Sequence, residues 1–437
     1  MTKSRANNRH HRSNQIECFQ SGRNALNSGT APVVREDEAT VSTPRTMQDF
    51  QATRVRDAKP SPTLAVSDAA RQLKSQGVDV IDLGGGDPDF ITPQHIRQAA
   101  VAAMNAGETH YVGGTGTPEF RKAISNKLQQ DNRIVAHHNG DILVTPGGKF
   151  AIYLAAQAFV EPGVDVMVLE PAWVSYVPIV ELAGGQAVNV GLDPDANFTI
   201  TRDILESRAT PATRIIMLNS PNNPTGRVMT REEIEILASF AVEHDLMVWT
   251  DEIYEKIIYD GRRHISIATF DGLVERTLTF NGLSKAYAMT GWRLGYVAGP
   301  KALISEMSKV NSHATTCATS FAQAGGTAAL GGPQQIIGEM VRAWDRRRHL
   351  ITDGINRIRG LRTNLVEGAF YSFVDAREID SDSVRLSDRI LNEVHVAVVP
   401  GIAFGDAGEG HFRLSFATSD DALQRSIDRL GSLFGCR

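Results

Sequence analysis

The sequence predicts an α/β fold, a mostly parallel sheet covered on both faces by helices and followed by a smaller α+β unit. Three observations carry this. Short apolar runs recur through the middle of the chain, helical patterns separate most of them, and the chemically unusual segments fall where the runs end, which in a parallel sheet is where ligands sit. The runs are VIDL (80–83), ILVT (142–145), VMVLE (166–170), QAVNV (186–190), RIIML (214–218), LMVWT (246–250), TLTF (277–280) and LGYVAG (294–299). Before them, KPSPTLAV leads into a helical pattern through Ala65, Ala69 and Leu73 that stops at Gly77. Among the intervening helices, FAIYLAAQAF (150–159) follows a Gly-Gly pair, and TREEIEILASFAVEHD (230–245) carries Thr230 and Glu233 at capping-box spacing. After about residue 330 a long helical stretch runs through Trp344 and Arg346 to Arg348. GAFYSFVD, VAVVPG and HFRLSFA follow, the pattern of the smaller α+β unit.

Composition narrows the classes of function. The 437 residues exceed one small core, and 42% hydrophobic with 22% charged residues is ordinary for a soluble chain of two or three domains. A formal charge of −5 leaves no basic excess, so no nucleic-acid partner is expected. Cys18, Cys317 and Cys436 lie far apart, without metal-type spacing or the even number of a disulfide framework. A reducing, cytoplasmic setting and no metal follow as expectations. No stretch approaches the roughly 18 apolar residues of a membrane helix, and the N-terminus lacks an apolar core between its charges. Residues 1–55 differ from the rest, with Arg5, Arg9 and Arg12 among Asn, Ser and His, then acidic residues around Glu36 to Glu38. Such a composition is expected to be a disordered extension; its acid-poor start has a weak transit-peptide character without amphipathic periodicity. No internal repeats are found.

Four segments at strand ends carry the chemistry: TPGGKFA (145–151), SPNNPTG (220–226), TDEIY (250–254) and NGLSKAYAMTGWR (281–293). An aldehyde cofactor needs an amine of lowered pKa to form a Schiff base, and Lys285, fixed just after TLTF with Arg293 eight residues on, is the candidate. A pyridine-type electron sink needs a carboxylate at its ring nitrogen, and Asp251 closes LMVWT. Tyr254 and Asn223 are candidates for its phenolic oxygen. Gly147 and Gly148, opening a helix, offer free amides to a phosphate, with Ser284 and Arg293 as further donors. Trp173 in EPAWVSY ends a strand and could stack on the ring. Taken singly, Asp251 is equally a helix cap, Tyr254 a core aromatic and the Asn-Asn-Pro run a tight turn. Together they describe a pyridoxal 5′-phosphate site. Arg413, within an alternating apolar strand where arginine is otherwise costly, fits a fork for a carboxylate. Lys149 stands at the positive end of a helix, where an anion must accompany it.

In this order GGDPDF, SPNNPTG, DEIYE, SKAYAMTGWRLGY and RLSFATS resemble the class I aminotransferases of PLP fold type I, closest to the bacterial-type subgroup Ib that includes aspartate and prephenate aminotransferases. The resemblance covers roughly residues 59–435. It implies a large domain with a seven-stranded sheet and a homodimer with sites at the subunit interface. The boundaries that follow are an arm with the first part of the small domain over 56–98, a large cofactor domain over 99–330 and a small domain over 331–437. It implies Lys285 as the Schiff-base lysine and proton carrier, Asp251 at the ring nitrogen, Tyr254 and Asn223 on the phenolic oxygen, and Trp173 stacked. Tyr111, in THYVGGTG, would reach the phosphate of the partner subunit's cofactor, and Gly86 with Arg413 would hold the α-carboxylate. Lys149, helped by Ser61 and Thr63, would contact a distal carboxylate, which favours aspartate with 2-oxoglutarate as acceptor. GGGDPDF departs from the subgroup's GEPDF, with Asp87 for Glu, and bears on the substrate mouth. The alternatives are a prephenate or specialised aminotransferase, or elimination, decarboxylation or oxidation on the same scaffold. A fold-borrowing regulator would need a DNA-binding domain before residue 59, and no helix-turn-helix pattern is present there.

Overall fold

The computed structural model describes residues 47–56, 58, 60 and 62–436. The chain divides into two units, Met1–Gln51 and Ala52–Arg437. The described part of the first is one 3-10 turn, Met47–Phe50. The expected disordered extension falls largely on residues 1–46, outside the described residues; Thr53–Arg56 forms a short helix.

Among the described residues of the second unit twelve strands form: β1 Ile81–Asp82, β2 Ile142–Thr145, β3 Asp165–Glu170, β4 Gln186–Gly191, β5 Thr213–Asn219, β6 Met247–Asp251, β7 Thr277–Gly282, β8 Gly295–Ala298, β9 Tyr371–Asp375, β10 Val396–Ala397, β11 Val399–Pro400 and β12 His411–Ser415. Seven make the central sheet, in the order β2-β8-β7-β6-β5-β3-β4. All neighbours are parallel except β8, which runs antiparallel to both β2 and β7. β2, β3 and β6 to β8 are buried almost throughout, which is why they read as unbroken apolar runs rather than alternating ones. Helices Gly148–Phe159, Tyr176–Leu182 and Lys301–Ala314 contribute to an apolar cluster with Val168, Met217, Trp249 and Phe280. Helix Arg231–Glu243 packs Ile234, Leu237 and Phe240 into a second cluster with Met167, Ile216 and Val248. Alternate residues of one strand thus enter cores on opposite faces, each fully buried Val, Leu or Ile contributing about 1.5–3 kcal/mol. The capping box of Thr230 and Glu233 is complete, with both reciprocal bonds formed.

One strand differs from expectation. β1, within the VIDL run, is not part of the central sheet but pairs in parallel with β10, Ile81 opposite Val396. An apolar run records burial, not partner, and the partner here comes from the far end of the chain. The remaining sheet is antiparallel, β11-β12-β9, with β12 in the middle. The long helix Gln335–Asn356 packs on helix Asp420–Phe434 beside it.

Sheet register places the unusual segments together. Asn219 lies opposite Asp251, and Asp251 opposite Phe280, so β5, β6 and β7 end at one edge. Gly295 of β8 is paired with Thr145 on one side and Gly282 on the other. That brings the turn holding Gly147 and Gly148 beside the turn holding Ser284 and Lys285. Among the described residues no helix is long and apolar enough to cross a membrane.

Candidate active site

Asp251 ends β6 with its carboxylate buried. Tyr176 Oη donates to Oδ2 at 2.8 Å and the Ile253 N–H to Oδ1 at 3.2 Å. No basic side chain among the described residues forms an ion pair with it. Burial therefore pushes its pKa from 3.8 to about 6, while the two donors pull the other way. Asn219 supports the strand end, donating from Nδ2 to the Asp251 carbonyl at 2.8 Å and accepting the Asn223 N–H on Oδ1 at 2.8 Å. The turn carrying Asn223 is thereby tied to the strand carrying Asp251.

Lys285 follows β7, its Nζ donating to the Gly86 carbonyl at 2.5 Å. Burial lowers this amine from 10.5 to about 8, opposed by the Asp87 carboxylate and assisted by the charges of Arg413 and Arg293. A Cβ at Gly86 would stand 2.6 Å from Tyr371 Oη, so any larger residue there would displace that hydroxyl. Tyr371 Oη in turn lies 2.8 Å from Tyr254 Oη.

Arg413 sits in the middle strand β12 and is 3% exposed. It donates to Asn223 Oδ1 at 2.9 Å and to the Gly84 carbonyl at 2.6 Å, and its guanidinium lies between the rings of Tyr371, at 4.4 Å, and Phe404, at 5.0 Å. Its Nε is buried without a hydrogen-bond partner among the described residues, and no carboxylate closes the fork. Lys149 is similar. Its ammonium lies 4.8 Å from the Trp173 ring, and burial, then the neighbouring Arg293, lower its pKa.

Helix Gly148–Phe159 opens at Gly147, φ +91°, which has no side chain to cap it; the Phe150 N–H bonds the Gly147 carbonyl, while the Gly148 and Lys149 amides have no acceptor among the described residues. Arg293 packs directly against Gly147. Thr63, Gly86, Gly148, Lys149, Trp173, Asn223, Asp251, Tyr254, Ser284, Lys285, Arg293 and Arg413 all line one cavity of about 310 Å³. A second cavity, about 780 Å³, shares Lys149, Trp173 and Arg293 with it.

Three expected site residues are not brought there: Gly147 lines neither cavity, although Arg293 packs against it. Tyr111 is 86% exposed and lies outside both cavities, and Ser61 lies outside the described residues. Sequence reasoning missed Tyr176, Asn219, Thr290 and Tyr371, which line the same cavity. Tyr176 stands three residues after Trp173 and Tyr371 lies in GAFYSF, so both were in quoted motifs without a stated role.

A family model described as aminotransferase class I and II matches residues 78–430. The chain belongs to this family. Aminotransferases similar to it include an aspartate aminotransferase of Musicola paradisiaca, 42% identical over 87% of this chain and 95% of the relative. An aspartate/prephenate aminotransferase of Thermus thermophilus is 42% identical over 87% of this chain and 98% of its own length. Among solved structures, the Thermus thermophilus aspartate aminotransferase with maleate superposes with a TM-score of 0.84 at 41% identity, covering 88% of this chain and 99% of that one. An aromatic aminotransferase of Pyrococcus horikoshii does so with 0.80 at 43%, covering 83% and 98%. The fold is that of PLP fold type I, and the chain is a PLP-dependent aminotransferase.

Proposed function

We propose that this aminotransferase moves the amino group of aspartate, or another dicarboxylic amino acid, to 2-oxoglutarate. One observation carries the dicarboxylate: besides Arg293, which is given to the phosphate, a single cavity holds Lys285 together with Arg413 and Lys149, cations that no carboxylate pairs among the described residues. Arg413, buried without a counter-ion, calls for one anionic group on the ligand, and Lys149, more exposed at the same cavity, offers a positive group for a second.

The donor set fits the cofactor. Asp251 is a buried carboxylate that lacks a cation, and a protonated ring nitrogen supplies one. Free amides at Gly148, with Ser284 and Arg293, suit a phosphate, and Trp173 a ring face. Bound there, pyridoxal phosphate supplies an aldehyde that condenses with amines and a ring that draws electrons from the substrate Cα. In this reading Asp251 holds the proton on the ring nitrogen. Tyr254 Oη and Asn223 Nδ2 donate to the phenolic oxygen. Arg413, with Gly86 beside it, holds the α-carboxylate, and Lys149 with Thr63 and Ser61 holds the distal one. Lys285, neutral in useful fraction because its pKa is about 8, takes the proton from Cα and returns it at C4′. The exposure of Tyr111 suits a side chain that reaches the phosphate in a partner subunit, and so a homodimer. The divisions at 56–98, 99–330 and 331–437, and a cytoplasmic location, belong to the same reading.

A second reading has one observation in its favour. The 780 Å³ cavity is lined largely by apolar groups such as Phe150, Val177 and Leu182 and opens beside Lys149, which suits a larger donor, aromatic or prephenate-like. The absorption spectrum of the holoenzyme, recorded with one amino acid at a time, separates the two. Conversion with aspartate or glutamate, reversed by 2-oxoglutarate or oxaloacetate, supports the dicarboxylate. Conversion only with aromatic donors supports the second reading, and product formed without any keto acid would move the reaction to elimination or oxidation. Lys285→Ala is expected to retain cofactor but lose turnover by orders of magnitude; comparable turnover sinks the role given to Lys285.

A further inference from the structure

Behind Asp251 lies a buried charge cluster that the proposed reaction does not use. Asp251 lines the cavity, and Glu252, the residue just past the end of β6, does not. Glu252 is fully buried. It accepts from Ser266 Oγ at 2.6 Å, Asn132 Nδ2 at 3.0 Å and Thr250 Oγ1 at 3.4 Å, and His264 Nε2 stands 2.9 Å from its Oε2, at ion-pair distance but poorly aligned for a hydrogen bond. One turn on, Glu255 contacts the ammonium of Lys127 and accepts from Asn132. The side chains of Lys127, Glu255 and His264 are 6%, 7% and 10% exposed.

The charges decide the state of the ring. Two carboxylates face one ammonium, which leaves an excess negative charge in a dry layer next to Asp251 unless a second cation is present. Both ring nitrogens of His264 are buried without a hydrogen-bond partner among the described residues, so what Glu252 offers the ring is its charge at 2.9 Å and not an aligned hydrogen bond. Burial opposes a charged ring and Lys127 repels it. The charges of Glu252 and Glu255 outweigh both and hold His264 above the ordinary imidazole range. Asp251 itself faces Tyr176, Lys285 and Glu252, and the last of these favours its protonation. Farther out, Lys256 is taken by Asp131 at 2.7 Å, so it is not available to neutralise Glu252.

We propose that His264, held as an imidazolium, is a positioning residue of this aminotransferase: it neutralises Glu252 behind β6 and thereby keeps Asp251 ionised for the cofactor ring. This rests on the reading of Asp251 as the partner of the ring nitrogen. A buried unit charge roughly 10 Å from a carboxyl shifts it by about one pH unit at an effective dielectric near 20, so the effect is large enough to measure.

Two measurements test it. In the full-length protein, nitrogen-15 shifts of the His264 ring are expected to show both nitrogens protonated through neutral pH; a neutral ring there overturns the proposal without any variant being made. The pH at which affinity for pyridoxal phosphate falls is the second readout. His264→Gln should move that fall upward by about one unit, Glu252→Gln should move it downward, and the double variant should return close to the parent. Shifts in the same direction, or none, overturn the proposal, since a merely structural role would not produce opposite signs from two touching residues. Asp251→Asn serves as the control. If that variant keeps the parent profile, the reading of Asp251 has failed, while the state of the His264 ring is still decided by its own spectrum.

Discussion

Replacing Asp251 by Asn should make the cofactor-free protein more stable while destroying its activity. The Tyr176 hydroxyl and the Ile253 amide both donate to the carboxylate, and Asn can meet both, its oxygen accepting from Ile253 and its amide donating to Tyr176 Oη. The substitution therefore removes a buried charge without leaving an unsatisfied group. A carboxyl raised from 3.8 to about 6 in the folded chain binds its proton more tightly there than when unfolded. The resulting penalty is absent below about pH 4, grows between about 4 and 6, and is complete above that, where at about 1.4 kcal/mol per pH unit it reaches about 3 kcal/mol. Urea unfolding of the apoprotein at pH 4 and pH 7.5 measures it. The variant should gain about 3 kcal/mol over the parent at pH 7.5 and little at pH 4. A gain independent of pH, or a loss at pH 7.5, would refute the account of Asp251 as a strained anion awaiting a cation.

Three further outcomes follow from the same geometry. Because burial brings Lys285 to about 8, capture of pyridoxal phosphate by the apoprotein should rise with pH to half its maximum near 8. At pH 7.5 such an amine is neutral roughly two hundred times more often than one titrating at 10.5, so a rate still climbing at pH 10 would contradict the burial argument. Lys149→Ala should raise KM for aspartate at least tenfold more than for a neutral or aromatic donor; equal changes would assign Lys149 to the cofactor instead. Gly86→Ala places a methyl 2.6 Å from Tyr371 Oη and 3.7 Å from Lys285 Nζ, so kcat/KM should fall about tenfold or more while the free energy of unfolding changes by no more than about 1–3 kcal/mol.

The strands of the central sheet were legible because burial on both faces writes a continuous apolar run, as in ILVT of β2 and LMVWT of β6. Their order was not legible, since nothing in Ile81 or Val396 announces the other. The same division holds in the site. Lys285, Asp251 and Asn223 could be found because each ends an apolar run in a turn of unusual composition. Tyr176 could not, because its bond to Asp251 crosses from β6 to the segment after β3, two strands away in the sheet. His264 is a harder case: it stands in a loop of charged residues, GRRHIS, and only the folded chain brings it to Glu252.

Arginine shows most directly what the folded chain adds. Arg348 and Arg413 are both nearly buried, at 1% and 3% exposed, the first within the charged run DRRRH and the second in an apolar strand. Arg348 is closed by Asp260 at 2.9 Å and Asp345 at 2.6 Å and bonds the Val366 carbonyl, so its charge is balanced within the chain. Arg347 is likewise closed by Asp89 and Asp420, and Arg227 by Glu233. Arg413 meets only an amide oxygen and a carbonyl, dipoles that orient a guanidinium but do not neutralise it. A charge kept out of water with no counter-ion is destabilising unless a ligand provides one. Among the described residues the pairing state thus separates the buried arginines that build the fold from Arg413, poised for a substrate; Lys149 is exposed, so its case for a second carboxylate rests on its place in the cavity and not on burial.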